Sequence, residues 1–66
     1  MQVSVNSESH DVAPGTSLQA LLDAMEINCE ALVVQRNDDI VARQDFAATE
    51  LADGDVLELV RFVGGG

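Results

Sequence analysis

The sequence contains no lysine. It has three arginines and twelve acidic residues, so the formal net charge is −9. A surface of this sign repels phosphate backbones and anionic lipids, which excludes binding to nucleic acid or membranes through a basic patch. The charge by itself favours solubility, and it equally suits steered encounters with basic protein partners. We therefore expect protein partners, with no nucleic-acid and no membrane partner.

Cysteine, aromatic residues and long apolar runs are also scarce. Cys29 has no second cysteine for an internal disulfide, which fits a reducing cytoplasm. No apolar run is long enough to span a bilayer, and we expect no signal peptide because no basic segment precedes an apolar one. Aromatics make up 3% of the residues and hydrophobic residues 47%. We expect one cytoplasmic domain with a core of Val, Leu, Ile and Ala.

The side chains that commonly carry chemistry do not form a catalytic motif. His10 has no second histidine for a metal site, and Cys29 follows the predicted helix, where packing is the simpler interpretation. The aspartate pairs 38–39 and 53/55 fall in predicted turns, where aspartate is common. No carboxylate dyad, nucleophile elbow, phosphate loop or metal-spaced cluster is present. We predict no catalytic residue, no metal and no bound cofactor, with the protein a monomer when free.

Apolar and polar residues alternate in a pattern that predicts five strands and one helix. The predicted strands cover 1–5, 10–13, 31–35, 40–41 and 56–63. The predicted helix is capped by Thr16 or Ser17, runs for about three turns and ends near Glu26. Residues 43–49 are expected to be irregular or to form a single helical turn, anchored by Phe46, and the Asp53-Gly54 turn follows. The order predicts an α+β roll of the β-grasp type, with a mixed sheet on one helix and its first and last strands parallel at the centre.

The sequence ends in "RFVGGG", where strand-forming residues lead into three glycines. A glycine run at a terminus is most simply a frayed end. Glycine also permits close approach, because a backbone without Cβ atoms passes through a channel that side chains would block. Extended residues reach at most about 3.6 Å each, so residues 63–66 would carry a carboxylate roughly 14 Å beyond the domain. We predict a folded domain over 1–63 and a flexible tail over 64–66.

The blocks "APGTSLQALLDAM", "VVQRNDDIV", "ARQDFAAT" and "LADGDVLELVRFVGGG" resemble the ThiS family of sulfur carriers in thiamin biosynthesis, which have a ubiquitin-like β-grasp fold. The resemblance covers the whole sequence and is most specific in its last block. Two departures, Ala42 in place of a frequent proline and Asp38 in place of a frequent glycine, affect local loop geometry.

The resemblance implies a cycle that uses the carboxylate of Gly66. An E1-like adenylating enzyme of the ThiF type, which consumes ATP, would adenylate that carboxylate. Sulfur from a persulfide donor would replace AMP and leave a thiocarboxylate. A thiazole synthase of the ThiG type would then take the sulfur for the thiazole ring. The protein would be a co-substrate of these enzymes rather than an enzyme, and Gly64 and Gly65 would thread the tail into the partner.

Side-chain alternation along the last strand predicts how the partner finds the tail. Leu57 and Leu59 share one face, which we expect to pack on the helix, while Val60 and Phe62 lie on the other. An exposed valine and phenylalanine beside the tail predict a docking patch. The alternative is that Phe62 folds over the sheet edge as part of the structure.

Other functions fit the same residues. A terminal glycine pair also suits the small subunit of molybdopterin synthase, a carrier for methionine or cysteine biosynthesis, or a ubiquitin-like modifier joined to lysines of other proteins. A further alternative is an interaction domain whose glycines have no function. The residues do not identify the immediate sulfur donor.

Overall fold

The computed structural model describes residues 1–27 and 32–61. Within these ranges the chain forms five strands, one α-helix and one short 3-10 helix. The strands are β1 (Gln2–Val5), β2 (Glu8–Asp11), β3 (Leu32–Arg36), β4 (Asp39–Val41) and β5 (Val56–Arg61). The α-helix is α1 (Leu18–Ala24), and the 3-10 helix covers Arg43–Asp45.

The strands form one mixed sheet in the order β2-β1-β5-β3-β4. β1 and β5 pair in parallel at its centre, and the other neighbours pair antiparallel. This arrangement confirms the predicted α+β roll and the predicted parallel pairing of the first and last strands. β5, the strand that leads toward the carboxyl end, therefore lies in the middle of the sheet.

Helix α1 begins and ends with recognisable caps. The Oγ of Ser17 accepts a hydrogen bond from the N–H of Ala20 at 3.0 Å, so Ser17 is the N-cap. At the other end Glu26 has a φ of 57°, and the N–H of Ile27 donates to the carbonyl of Leu22 at 3.0 Å. This bond closes a Schellman motif, in which a left-handed residue stops the helix. The predicted three turns were wrong, since the seven helical residues make about two.

The core lies between the inner face of the sheet and α1. Phe46 is only 1% exposed, which confirms it as the anchor of the irregular segment. The other buried apolar residues come from β1, α1, β3, the loop before β5, and β5 itself: Val3, Val5, Leu18, Leu21, Leu22, Leu32, Val34, Leu51 and Leu57. As expected from the composition, apart from Phe46 this core consists of valine and leucine.

Both β-hairpins close through two-residue turns in which each residue has a positive φ. The values are 49° and 71° at Asn6 and Ser7, and 50° and 73° at Asn37 and Asp38. Two successive left-handed residues match the right-handed twist of the flanking strands. The first turn is therefore shorter than predicted, and β2 begins at Glu8 instead of His10.

Candidate functional site at the end of the central strand

Strand β5 pairs with β3 along most of its length and with β1 only at its start. Against β3 the register runs from Arg36 opposite Leu57 to Leu32 opposite Arg61. Against β1 it covers only Ser4 with Val56 and Val5 with Leu57. Among the described residues, none of β1 lies beside β5 beyond that point, because the chain turns away at residue 6.

Asn6 extends this ladder by two hydrogen bonds after β1 has ended. Its backbone N–H donates to the carbonyl of Leu57 at 2.9 Å, and its Oδ1 accepts from the N–H of Leu59 at 2.8 Å. The left-handed backbone of Asn6 places both groups toward β5. The last described residues of β5 are thus held by β3 on one side and by an asparagine side chain on the other.

The opposite end of β5 is held by a buried carboxylate, Asp55, which is 5% exposed. Its Oδ2 accepts from Arg36 Nε at 2.9 Å and from the N–H of Ala52 at 2.8 Å, and its Oδ1 accepts from Asn37 Nδ2 at 3.0 Å. Asn37 Oδ1 in turn accepts from the N–H of Val56 at 2.9 Å. These bonds join the Asp53-Gly54 turn, the β3–β4 turn and the start of β5 into one unit.

The pKa of Asp55 depends on two opposing effects, burial of the carboxyl group and its interactions with neighbouring groups. Burial raises the pKa of the carboxyl group, but the hydrogen bonds from Ala52, Asn37 and Arg36 and the positive charge of Arg36 together lower it below the ordinary 3.8. The carboxylate is therefore ionised in the folded protein at neutral pH. The sequence pattern predicted a turn aspartate and missed this structural role.

The outer face of the sheet, opposite α1, carries an exposed apolar group. Val60 is 48% exposed and Val56 46%, while Leu57 is fully buried and Leu59 half-buried. The predicted division of β5 into two faces is therefore confirmed as far as Val60. The docking role of Val60 stays a prediction, and Phe62, Gly64, Gly65 and Gly66 lie outside the described residues.

Ile40 also lies on this outer face, and the sequence interpretation did not single it out. It is 70% exposed and pairs across β3–β4 with Gln35, which in turn pairs with Glu58 of β5. The preceding turn type would have revealed it, since a two-residue turn at Asn37 and Asp38 sets the register of β4. We call Ile40, Val56 and Val60 the outer apolar group.

On the inner face, a pocket of about 210 Å³ lies beside the last residues of β5. Its apolar lining comes from Ile27, Leu32 and Leu59, and its polar lining from Asn6 and Arg61. We call it the tail-base pocket, because its lining includes Arg61, the last described residue of β5.

The side chains that commonly carry chemistry lie apart from one another in the part of the chain that the structure describes. Within residues 1–27 and 32–61, no three His, Cys, Asp or Glu side chains come together as metal ligands do. His10 lies opposite Val3 on the inner face, and its Nε2 is buried without a hydrogen-bond partner. Cys29 is outside the described residues. No helix in the part of the chain that the structure describes is long and apolar enough to cross a membrane.

The mixed five-stranded sheet with one helix on its inner face defines a ubiquitin-like β-grasp protein. The crystal structure of the thiamine biosynthesis protein ThiS from Geobacter metallireducens has this fold, with a TM-score of 0.85, 33% identity and complete coverage of both chains. The ThiS family model matches residues 3–66. The chain belongs to the ThiS family.

Two relatives describe the family further. The sulfur carrier protein ThiS of Bacillus subtilis is 38% identical over 50 residues, which are 76% of each chain. A thiazole synthase of Magnetococcus marinus is 36% identical over all 66 residues of this chain. The chain spans about a fifth of the length of the curated thiazole synthases that it matches. Membership in this family of small sulfur carriers is consistent with thiamin biosynthesis.

Proposed function

We propose that this protein carries sulfur as a thiocarboxylate on Gly66 and donates it for thiazole formation in thiamin biosynthesis. The observation that carries the proposal is the family match, which runs through the last residue of the sequence. The position of β5 supports it, since the strand that leads to Gly66 is the central one and is hydrogen-bonded at both ends.

The chemistry needs an activated carboxyl group, because a carboxylate is a poor electrophile. An oxygen of the Gly66 carboxylate attacks the α-phosphorus of ATP, and pyrophosphate leaves. The terminal sulfur of a persulfide, as its anion, then attacks the acyl carbon, and AMP leaves with the transferred oxygen. A second thiol cleaves the remaining sulfur–sulfur bond by forming a disulfide with the donor, and the thiocarboxylate stays on Gly66. Positioning by the adenylating enzyme supplies the catalysis.

The absence of side chains in residues 64–66 suits this positioning. Glycines allow the tail to enter a narrow channel in an extended form. The folded domain stays outside the channel, and β5 serves as the fixed base of the tail. No side-chain amine of this chain competes for the activated carboxyl group, because the sequence has no lysine.

Thiazole synthase is the proposed acceptor of the sulfur. Two relatives named thiazole synthase contain a stretch that matches this whole chain within a protein about five times as long. Joining two interacting modules in one chain raises their effective concentration, so such relatives support an interaction between the separate proteins. The proposed partners are therefore a ThiF-like adenylating enzyme, a persulfide donor and a ThiG-like thiazole synthase.

The test is conversion of the carboxyl group with ATP, a persulfide source and the adenylating enzyme. Intact-protein mass spectrometry should show one oxygen replaced by sulfur, located at Gly66 by fragmentation. A variant with one alanine added after Gly66 is the matched control, and we expect it to fold normally and gain no sulfur. Sulfur gain by the extended variant would contradict the threading argument. Adducts on lysines of other proteins would instead indicate a ubiquitin-like modifier.

A second change probes the depth of the channel. Gly65→Val adds a β-branched side chain that restricts the backbone and widens the tail. We expect unchanged thermal stability and adenylation slowed by orders of magnitude. A normal rate would show that the partner does not enclose this position closely.

A further inference from the structure

The tail-base pocket combines an apolar floor with a polar rim formed by Asn6 and Arg61. Leu32 and Leu59 form part of the floor, and Arg61 lies directly opposite Leu32 in the β3–β5 register. The N–H of Leu59 points to Asn6 and so away from β3, and Arg61, two residues further along β5, has the same orientation. Leu32 and Arg61 therefore form a non-hydrogen-bonded pair, whose side chains approach closely. Arg61 therefore lies close to the apolar floor and forms part of the pocket lining.

Asn6 supplies the other donor. Its Oδ1 already accepts the N–H of Leu59 at 2.8 Å, and its Nδ2 group keeps two N–H donors that can bind a ligand in the pocket. Arg61 has donors and no acceptor. Two donors on one rim, one of them charged, match a carboxylate and would repel a cation.

The charge of the rest of the chain makes this rim unusual. Of three arginines in a chain of net charge −9, Arg36 is held by Asp55 and by the carbonyl of Glu50. Arg61 is exposed, and within the described ranges it has no ion pair. Arg43, in the 3-10 helix, is likewise exposed and unpaired in the described part, but it does not line the pocket. The pocket is thus a local donor site on an otherwise acidic protein.

We propose that the tail-base pocket receives, from the adenylating enzyme, an aspartate or glutamate that stands next to an apolar side chain. The apolar side chain fills the floor, and the carboxylate binds Asn6 Nδ2 and Arg61. This contact involves Arg61, the last described residue of β5, so it would set the direction in which Gly66 enters the partner. The proposal rests on the proposed function for its choice of partner.

Charge reversal at two arginines distinguishes the contribution of the pocket to binding from that of the net charge. Arg61→Glu and Arg43→Glu change the net charge equally, and both side chains are exposed. The dissociation constant of the full chain with the adenylating enzyme, measured by calorimetric titration at low and high salt, is the readout. We expect Arg61→Glu to weaken binding about tenfold or more, as for loss of a charge-assisted hydrogen bond, and Arg43→Glu to change it about twofold or less. The difference between the dissociation constants of the two variants should become smaller at high salt.

Asn6→Asp tests the second donor with almost no change in shape. A carboxylate oxygen still accepts the N–H of Leu59, and aspartate tolerates the left-handed conformation, so the fold should be retained. The Nδ2 donor of this pocket-lining residue is lost and a negative charge replaces it. We expect weaker binding to the enzyme, with an unchanged denaturation midpoint as the control for folding.

Several results would overturn the proposal. One is equal weakening by both arginine variants, which would mean that net charge alone matters. Another is unchanged binding by Arg61→Glu or by Asn6→Asp. A third is a wild-type dimer in sedimentation that Arg61→Glu dissolves, which would make a second copy of this chain the occupant. Sulfur gain at Gly66 is measured separately, at saturating adenylating enzyme. If the wild type gains no sulfur, the proposed function is wrong. If the wild type gains sulfur and the pocket variants bind the enzyme as it does, only the pocket proposal is wrong.

Discussion

Asp55→Asn is the most informative single change to the fold, because it removes a charge and keeps the shape. The carboxylate accepts three hydrogen bonds, from Arg36, Asn37 and Ala52. An amide has one oxygen and one nitrogen, so in either orientation at least one of these donors faces an N–H group.

The expected cost follows from these contacts. An unpaired buried donor costs about 1–3 kcal/mol. The lost ion pair adds at most about 1 kcal/mol, because the side chain of Arg36 is 31% exposed and is screened by solvent. We expect the free energy of unfolding to fall by about 1–4 kcal/mol. For a chain of 66 residues the whole stability is roughly 3–10 kcal/mol.

Asp53→Asn is the matched control, two residues away in the same turn. Asp53 is exposed, and its Oδ1 accepts the N–H of Gln2 at 2.7 Å, a bond that an asparagine oxygen keeps. We expect a change within about 0.5 kcal/mol. Urea denaturation of both variants, with an unchanged m-value, measures the two costs. If Asp55→Asn is no less stable than Asp53→Asn, the Asp55 hydrogen bonds do not hold β5 in the way described.

Three further outcomes are expected. Folding lowers the pKa of Asp55 below 3.8, so its carboxylate contributes stability above that pH and the contribution is lost as the pH falls through the folded pKa. The stability difference between wild type and Asp55→Asn should therefore shrink below about pH 4, and a constant difference would contradict this. Asp38→Gly should raise the free energy of unfolding by up to about 1 kcal/mol, because Asp38 has a φ of 73° that glycine adopts without strain; urea midpoints would show it. Val60→Asp should leave the melting temperature nearly unchanged and slow adenylation, since Val60 is 48% exposed in the outer apolar group; a normal rate would remove Val60 from the docking surface.

The local elements of this protein follow from short-range patterns. Alternation along β1 and β5 sets which side chains face inward, as Val3, Val5 and Leu57 show. Ser17 caps α1 because its hydroxyl reaches an N–H three residues away. These interactions span a few residues, so they are predictable without knowledge of the rest of the chain.

The sequence pattern failed where neighbours come from distant parts of the chain. Asp55 looks like any turn aspartate until the β3–β4 hairpin pairs with β5 and brings Asn37 against it, 18 positions away. In the same way, the donor rim of the tail-base pocket exists only because β1 and β5 lie side by side, which places Asn6 against Leu59 across 53 positions. The chemistry proposed for Gly66 could be inferred from the sequence, since it depends on the last residues and a family resemblance. The burial of one carboxylate and the surroundings of the tail depend on which strands become neighbours, and only the tertiary structure decides that.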